Sequence, residues 1–117
     1  MKLLIADDSS LLRETLRKLI EGVETVTDIQ ETDSVATTIY YLERELPDVL
    51  ILDIQMTDGT GYDVVRYLND APRRPTVIFL TNYATEQNRR RSVEMGVPYF
   101  FDKTNEYERV VELLENL

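Results

Sequence analysis

Two short apolar runs in the chain end in carboxylates: Leu3-Leu4-Ile5-Ala6 leads into Asp7-Asp8, and Val49-Leu50-Ile51-Leu52 leads into Asp53. If both runs are parallel strands lying side by side, the three acids gather at one edge of a sheet. Like charges there repel strongly unless a cation or a proton relieves them. Two further runs place complementary groups nearby: Val77-Ile78-Phe79-Leu80 ends in Thr81, and Tyr99-Phe100-Phe101 is followed by Lys103. A carboxylate trio, a hydroxyl and an ammonium then converge on one crevice. Mg²⁺ suits this set, because it prefers hard oxygen ligands, uses one or two carboxylates, and keeps positions open for water and phosphate. Phosphoryl chemistry is the reaction class such a crevice favours.

Composition narrows the choice of metal ligands. The sequence contains no cysteine and no histidine, which excludes disulfides, thiolate and imidazole ligands, and histidine acid-base catalysis. With 22 acidic against 13 basic residues the net charge is −9, so general attraction to nucleic-acid phosphates or anionic lipid is disfavoured. The N-terminal apolar run is too short and too quickly followed by acids to resemble a signal peptide or a membrane span. The expectation is a cytoplasmic protein that binds neither nucleic acid nor membrane directly. Its 117 residues, 43% of them hydrophobic, fit one domain spanning 1–117.

The carboxylates need a sheet to gather them. Short leucine-rich or β-branched runs alternate with stretches of helical period, the pattern of βα units around a parallel sheet. Strands are predicted over Leu3 to Ala6, Thr25 to Glu31, Val49 to Asp53, Thr76 to Thr81 and Tyr99 to Phe101. The runs at 49–52 and 77–80 are apolar without alternation, as expected of central strands covered on both faces, whereas Thr25 to Glu31 alternates and belongs at an edge. Leu12, Leu16, Leu19 and Ile20 draw the apolar stripe of a first helix. Val35, Ile39, Leu42 and Leu46 repeat that spacing up to Pro47, and Tyr107, Val110, Val111 and Leu114 repeat it behind Thr104-Asn105-Glu106. Tyr62 to Leu68 reads as a shorter helix with Val64 and Leu68 inward. Ala84 to Met95 reads as a fourth helix poor in apolar residues; its Arg89-Arg90-Arg91 run is a solvated face or, alternatively, a docking or dimer surface. Right-handed crossovers put helices on both faces, and in such open sheets the ligand sits outside the carboxyl ends of the strands.

These motifs together resemble the response-regulator receiver domain of the CheY-like type, over essentially the whole chain. The resemblance is carried by Asp7-Asp8, by Leu50-Ile51-Leu52-Asp53, by the Met56-Thr57-Asp58-Gly59-Thr60-Gly61 loop, by Thr81 after an apolar strand, and by Lys103 in Phe100-Phe101-Asp102-Lys103-Thr104. It implies a flavodoxin-like, doubly wound (βα)5 fold with strand order 2-1-3-4-5. It also implies that Asp53 accepts a phosphoryl group from a histidine kinase or histidine phosphotransfer protein, and that the domain is a signalling module with self-phosphorylation and autodephosphorylation only. Asp7, Asp8, Asp53 and the backbone carbonyl of Gln55 would hold Mg²⁺. Lys103 would pair with a phosphoryl oxygen, Thr81 would donate to another, and Thr81 with Phe100 would form the switch. The output surface would be the fourth helix, fifth strand and fifth helix, meeting a downstream protein or a second copy.

The sequence departs from the family pattern at four places. Phe100 lacks the hydroxyl of the tyrosine common there, Thr57 and Thr104 stand where proline is usual, and Asn82 is larger than the small residue the family prefers beside Thr81. These departures bear on rate and lifetime more than on identity. Taken singly, the acids read as helix-start residues, Thr81 as a routine strand residue, Lys103 as a solvated charge, and Gly59 and Gly61 as turn residues. Their joint placement favours the site. The rivals are a phosphorylation-independent pseudo-receiver, a small aspartate-nucleophile phosphatase, and a flavin or nucleotide binder. The last is disfavoured because Ala6-Asp7-Asp8-Ser9-Ser10 offers two anions and no glycine to a ligand phosphate.

Overall fold

The apolar runs at 3–6, 49–52, 77–80 and 99–101 all lie in strands of the computed structural model, which describes residues 1–117. In chain order the elements are β1 (Lys2–Ala6), α1 (Ser10–Ile20), β2 (Asp28–Thr32), α2 (Val35–Arg44), β3 (Val49–Leu52), β4 (Gln55–Met56), β5 (Gly59–Thr60), α3 (Gly61–Leu68), β6 (Thr76–Thr81), α4 (Glu86–Glu94), β7 (Tyr99–Asp102) and α5 (Tyr107–Glu115). The main sheet has five parallel strands in the order β2-β1-β3-β6-β7, while β4 and β5 form a separate antiparallel hairpin. Leaving out the hairpin, this is the flavodoxin-like 2-1-3-4-5 order the resemblance implied. The strand order reverses between β1 and β3, which is where a ligand crevice opens in such sheets.

Side chains alternate between two cores even in strands that read as continuously apolar. Leu3, Ile5, Val49, Ile51, Ile78 and Leu80 pack with Leu12, Leu16 and Ile20 of α1 and Val110 and Leu114 of α5. Leu4, Ala6, Leu50, Leu52, Val77 and Phe79 pack on the other face with Leu42 of α2 and Tyr62, Val64, Val65 and Leu68 of α3. The helix α4 contributes little to either core, and its sole buried residue is Ser92.

Several boundaries differ from the sequence reading for identifiable reasons. The second strand starts at Asp28 rather than Thr25, because the register with β1 pairs Lys2 with Asp28; the Thr27 N–H reaches the Met1 carbonyl beyond the ladder. The third strand stops at Leu52, one residue before Asp53, and the last runs on to Asp102. The second helix ends at Arg44, because Glu45 is extended (φ −150°, ψ 125°) as the chain approaches Pro47. Leu46 therefore lies outside the helix but still packs on the core. Leu19 does not join the stripe of α1 and is 42% exposed. The fourth helix is shorter than Ala84 to Met95, with Thr85 as its cap: the Thr85 hydroxyl accepts the Asn88 N–H at 3.1 Å. The hairpin was not foreseen.

Gly61 does more than allow a turn. Its N–H donates to the Ile54 carbonyl at 2.7 Å, and a Cβ there would lie 2.3 Å from the Asp53 carbonyl oxygen and 3.1 Å from Leu52 and Phe79. Only a residue without a side chain lets α3 begin against the backbone that carries Asp53. Gly61→Ala is therefore expected to lower the unfolding free energy by about 1–3 kcal/mol in urea titrations. Gly22→Ala, where nothing lies within 4 Å of the added carbon, should leave it unchanged within about 0.5 kcal/mol.

Candidate functional site

Three of the candidate side chains stand one residue past the end of a strand, and each is held there by a backbone bond that prolongs the ladder. The Asp7 N–H reaches the Thr32 carbonyl at 3.1 Å, the Asp53 N–H the Ala6 carbonyl at 3.0 Å, and the Lys103 N–H the Thr81 carbonyl at 3.0 Å. Because alternation continues across these bonds, Asp7 follows Leu3 and Ile5, and Asp53 follows Val49 and Ile51, toward the side of the sheet covered by α1 and α5. Lys103 follows Tyr99 and Phe101 toward that same side. The three meet there. Lys103 Nζ lies 2.7 Å from Asp7 Oδ2 and 2.9 Å from Asp53 Oδ2. Asp8 completes the group: carboxylate oxygens of Asp7, Asp8 and Asp53 all lie within 4.8 Å of one another.

The cluster is buried and unbalanced. Asp7, Asp53 and Lys103 are 2%, 5% and 8% exposed, whereas Asp8 opens to solvent. Two unit charges 4.8 Å apart repel by about 3 kcal/mol at an effective dielectric of ~20. Burial pushes the Asp7 carboxyl above its ordinary value, and the Asp53 charge adds to the rise. The bonds from Lys103 and from the Ser9 N–H oppose it without cancelling it. Burial alone would lower the Lys103 ammonium, but Asp7 and Asp53 outweigh it and hold the group above its ordinary 10.5. With three carboxylates and one ammonium the ionised cluster carries two uncompensated negative charges. Moreover Asp53 Oδ1 is buried and has no hydrogen-bond partner. An orphaned carboxylate oxygen beside two further acids is a fitting place for a hard divalent cation such as Mg²⁺.

Gln55 begins the hairpin, two residues after Asp53. The bond from the Gly61 N–H to the Ile54 carbonyl makes 54 and 61 a hydrogen-bonded pair. Hydrogen-bonded and open pairs alternate along an antiparallel ladder, so the next pair, Gln55 with Thr60, is open and the Gln55 carbonyl points away from its partner strand. The loop is also pinned at its turn, where Asp58 Oδ1 and Oδ2 accept the Val35 and Ala36 N–H groups at 2.8 and 3.0 Å. Those two bonds, Ala36 foremost, hold the Asp58 carboxyl below its ordinary value. No local signal in the sequence reveals this, because the partners are more than twenty residues away.

Thr81 and Phe100 are placed differently. Thr81 is fully buried at the end of β6, and its hydroxyl accepts the Tyr83 N–H at 3.0 Å rather than meeting the acids. From there a polar path runs outward: Asn88 donates to the Tyr83 carbonyl at 2.9 Å, and the Tyr62 hydroxyl donates to Asn88 Oδ1 at 2.8 Å. Phe100 is half-buried and meets Phe79 edge-on at 6.3 Å, and Phe79 meets Tyr62 at 5.5 Å. The arginine run of α4 is not simply a solvated face. Arg89 lies over the Phe100 ring at 4.8 Å and Arg91 over the Tyr62 ring at 4.1 Å, leaving Arg90 to pair with Glu86 in solvent. Tyr62 and Asn88 were missed because their pairing depends on the tertiary fold. Asn82 is exposed and, with Ser9 and Tyr107, lines a groove of ≈ 260 Å³ that reaches Lys103. The Lys103–Thr104 peptide, like every other, is trans.

Comparison with known proteins agrees with this fold. The family model described as the response regulator receiver domain matches residues 3–115. The sensory transduction protein LytT of Enterococcus faecalis is 32% identical over 115 residues, covering 98% of this chain and 47% of that protein. The transcriptional regulatory protein BtsR of Salmonella typhi is 39% identical over 83 residues, 71% of this chain and 34% of its own length. The chain thus spans about half the length, or less, of these curated relatives. Among solved structures, a DNA-binding response regulator of the LuxR family from Staphylococcus aureus superposes with a TM-score of 0.87 at 27% identity, over 98% of this chain and 96% of that one. The phosphorylated cyanobacterial phytochrome response regulator RcpA, at 14% identity and a TM-score of 0.83 over 98% of this chain and 89% of that one, shares the fold.

The raised pKa of Asp7 fixes the sign of a stability effect. A carboxyl whose pKa is higher folded than unfolded favours the folded state when protonated, and that contribution is lost as pH rises through the window above the ordinary 3.8. Asp7→Asn is therefore expected to be more stable than the wild type at pH 7 in urea titrations. The advantage should shrink as pH falls through the raised pKa and vanish below about 3.8.

Proposed function

The chain belongs to the response regulator receiver domain family of two-component signalling, and from that premise we propose that Asp53 is its phosphoryl acceptor. The observation that carries this reading is the buried, unpartnered Asp53 Oδ1, with Lys103 Nζ at 2.9 Å on the other oxygen. Asp53 attacks the phosphorus of a phosphohistidine on a histidine kinase or histidine phosphotransfer protein. The phosphorus–nitrogen bond breaks, its electron pair leaves with the imidazole, and an acyl phosphate remains on Asp53. Asp7, Asp8, Asp53 and the Gln55 carbonyl would hold Mg²⁺, which when bound would neutralise charge on the transferring phosphoryl group.

Lys103 already bridges Asp7 and Asp53, so a small movement of its ammonium engages a phosphoryl oxygen. Thr81 turns its hydroxyl proton to another oxygen, which draws the 81–83 turn inward. That movement disturbs the Tyr83–Asn88–Tyr62 path and so reaches α4. The domain then signals through the surface of α4, β7 and α5 to a downstream protein or a second copy of itself. Asn82, bordering the groove to Lys103, restricts the approach of water and governs how long the phosphoryl group survives. Residues 1–117 act as one cytoplasmic receiver unit that contacts neither nucleic acid nor membrane itself. No helix is long and apolar enough to cross a membrane.

The test is incubation with Mg²⁺ and acetyl phosphate, followed by intact mass measurement. A phosphoryl adduct on the wild type and none on Asp53→Asn is the expected result. Equal adducts on both, or none on the wild type, contradict the assignment; the second outcome favours a pseudo-receiver.

A further inference from the structure

Lys103 must hold its ammonium between two carboxylates, yet the segment that carries it is a loop between β7 and α5. What fixes that loop is a bracket of four hydrogen bonds. The Lys103 N–H reaches the Thr81 carbonyl at 3.0 Å, and the Thr104 N–H reaches Asp102 Oδ1 at 2.8 Å in an Asx turn. Two more bonds close the bracket reciprocally: the Glu106 N–H donates to the Asp102 carbonyl at 3.0 Å, and the Asp102 N–H donates to Glu106 Oε1 at 2.9 Å.

Glu106 has a second set of contacts. Its side chain is only 16% exposed and pairs with Arg89 of α4 at 3.6 Å and with Arg109 of α5 at 3.2 Å. Arg89 in turn lies over the Phe100 ring. The residue stands at the N-cap of α5 but makes no side-chain cap bond to that helix; its carboxylate is directed back at the Lys103 loop and across to α4. An ordinary capping role does not account for this placement.

We propose that Glu106 is the positioning residue of Lys103, through the Asp102 N–H, and that it couples the Lys103 loop to α4 through Arg89. The proposal deepens the acceptor reading of Asp53 and rests on it for its chemical consequence. The helix α4 buries only Ser92, so tethers such as the Glu106–Arg89 pair carry an unusual share of its attachment. The two contacts also separate chemically. A glutamine at 106 keeps an acceptor for the Asp102 N–H but loses the charge that holds Arg89, whereas an alanine loses both.

Three variants divide the roles: Glu106→Gln, Glu106→Ala and Arg89→Met. In hydrogen exchange on the free protein, the Asp102 amide should exchange about tenfold faster in Glu106→Ala and within about twofold of wild type in Glu106→Gln. Amides of α4 should exchange at least about threefold faster in Glu106→Gln and in Arg89→Met. With acetyl phosphate and Mg²⁺, Glu106→Ala should form the Asp53 adduct about fivefold more slowly, and Glu106→Gln should restore the rate. A glutamine variant as slow as the alanine one, or α4 amides unchanged in both Glu106→Gln and Arg89→Met, overturns the proposal. A wild type that forms no adduct defeats the acceptor reading instead, while exchange in the free protein still decides the bracket and the tether.

Discussion

The structure depends on one electrostatic constraint: three carboxylates are brought within 4.8 Å of one another at the ends of two neighbouring strands, with a single ammonium between two of them. The backbone leaves little choice in the matter. The ladder bonds of Asp7, Asp53 and Lys103 continue the sheet by one residue, and the side-chain alternation of β1, β3 and β7 then aims all three groups toward the same side. Gly61 lets α3 start against the Asp53 carbonyl, and Asp58 moors the intervening hairpin to α2. Much of the fold around the crevice serves to keep an unfavourable charge cluster in place. Lys103 relieves part of the repulsion, and the proposed capture of a cation and then of a phosphoryl group would draw on the remainder.

Two chains of contacts meet at α4, one of them starting at Thr81 beside the crevice. One is polar, from Thr81 through Tyr83 and Asn88 to Tyr62. The other is aromatic, from Phe79 to Phe100 and Tyr62, each of the last two carrying an arginine of α4 on its face. Cation–π contacts of this kind contribute about 0.5–1 kcal/mol each at partly exposed sites. A helix held by such contacts shifts at lower cost than one seated in an apolar core, which is the physical support for proposing that α4 responds to phosphorylation of Asp53.

Much of this was legible in the sequence because it follows from local pattern. The continuous apolar runs at 49–52 and 77–80 marked buried strands, and the acids after the first and third strands marked the carboxylate cluster, since strand ends in a parallel sheet share one edge, whereas the Thr81 hydroxyl turns to the Tyr83 N–H instead. What escaped depends on contacts between distant segments. The β4–β5 hairpin is two residues on each side and leaves no periodic trace. Leu19 matched the helical spacing but faces solvent, because α1 presents a narrower stripe than the pattern allowed. Arg89 and Arg91 read as surface charge, since nothing near them in sequence reveals the rings of Phe100 and Tyr62. Glu106 likewise read as part of a polar helix start, while its partners lie on β7, α4 and α5.

The central claim is that the cluster's uncompensated charge is what binds the cation, with Lys103 competing for the same carboxylates. Calorimetric titration of Mg²⁺ into the wild type and into Lys103→Met tests it most directly. Loss of the ammonium raises the net negative charge of the cluster, so the account predicts saturable binding in the wild type and tighter binding in the variant. Absence of binding in both, or weaker binding in Lys103→Met, would contradict it.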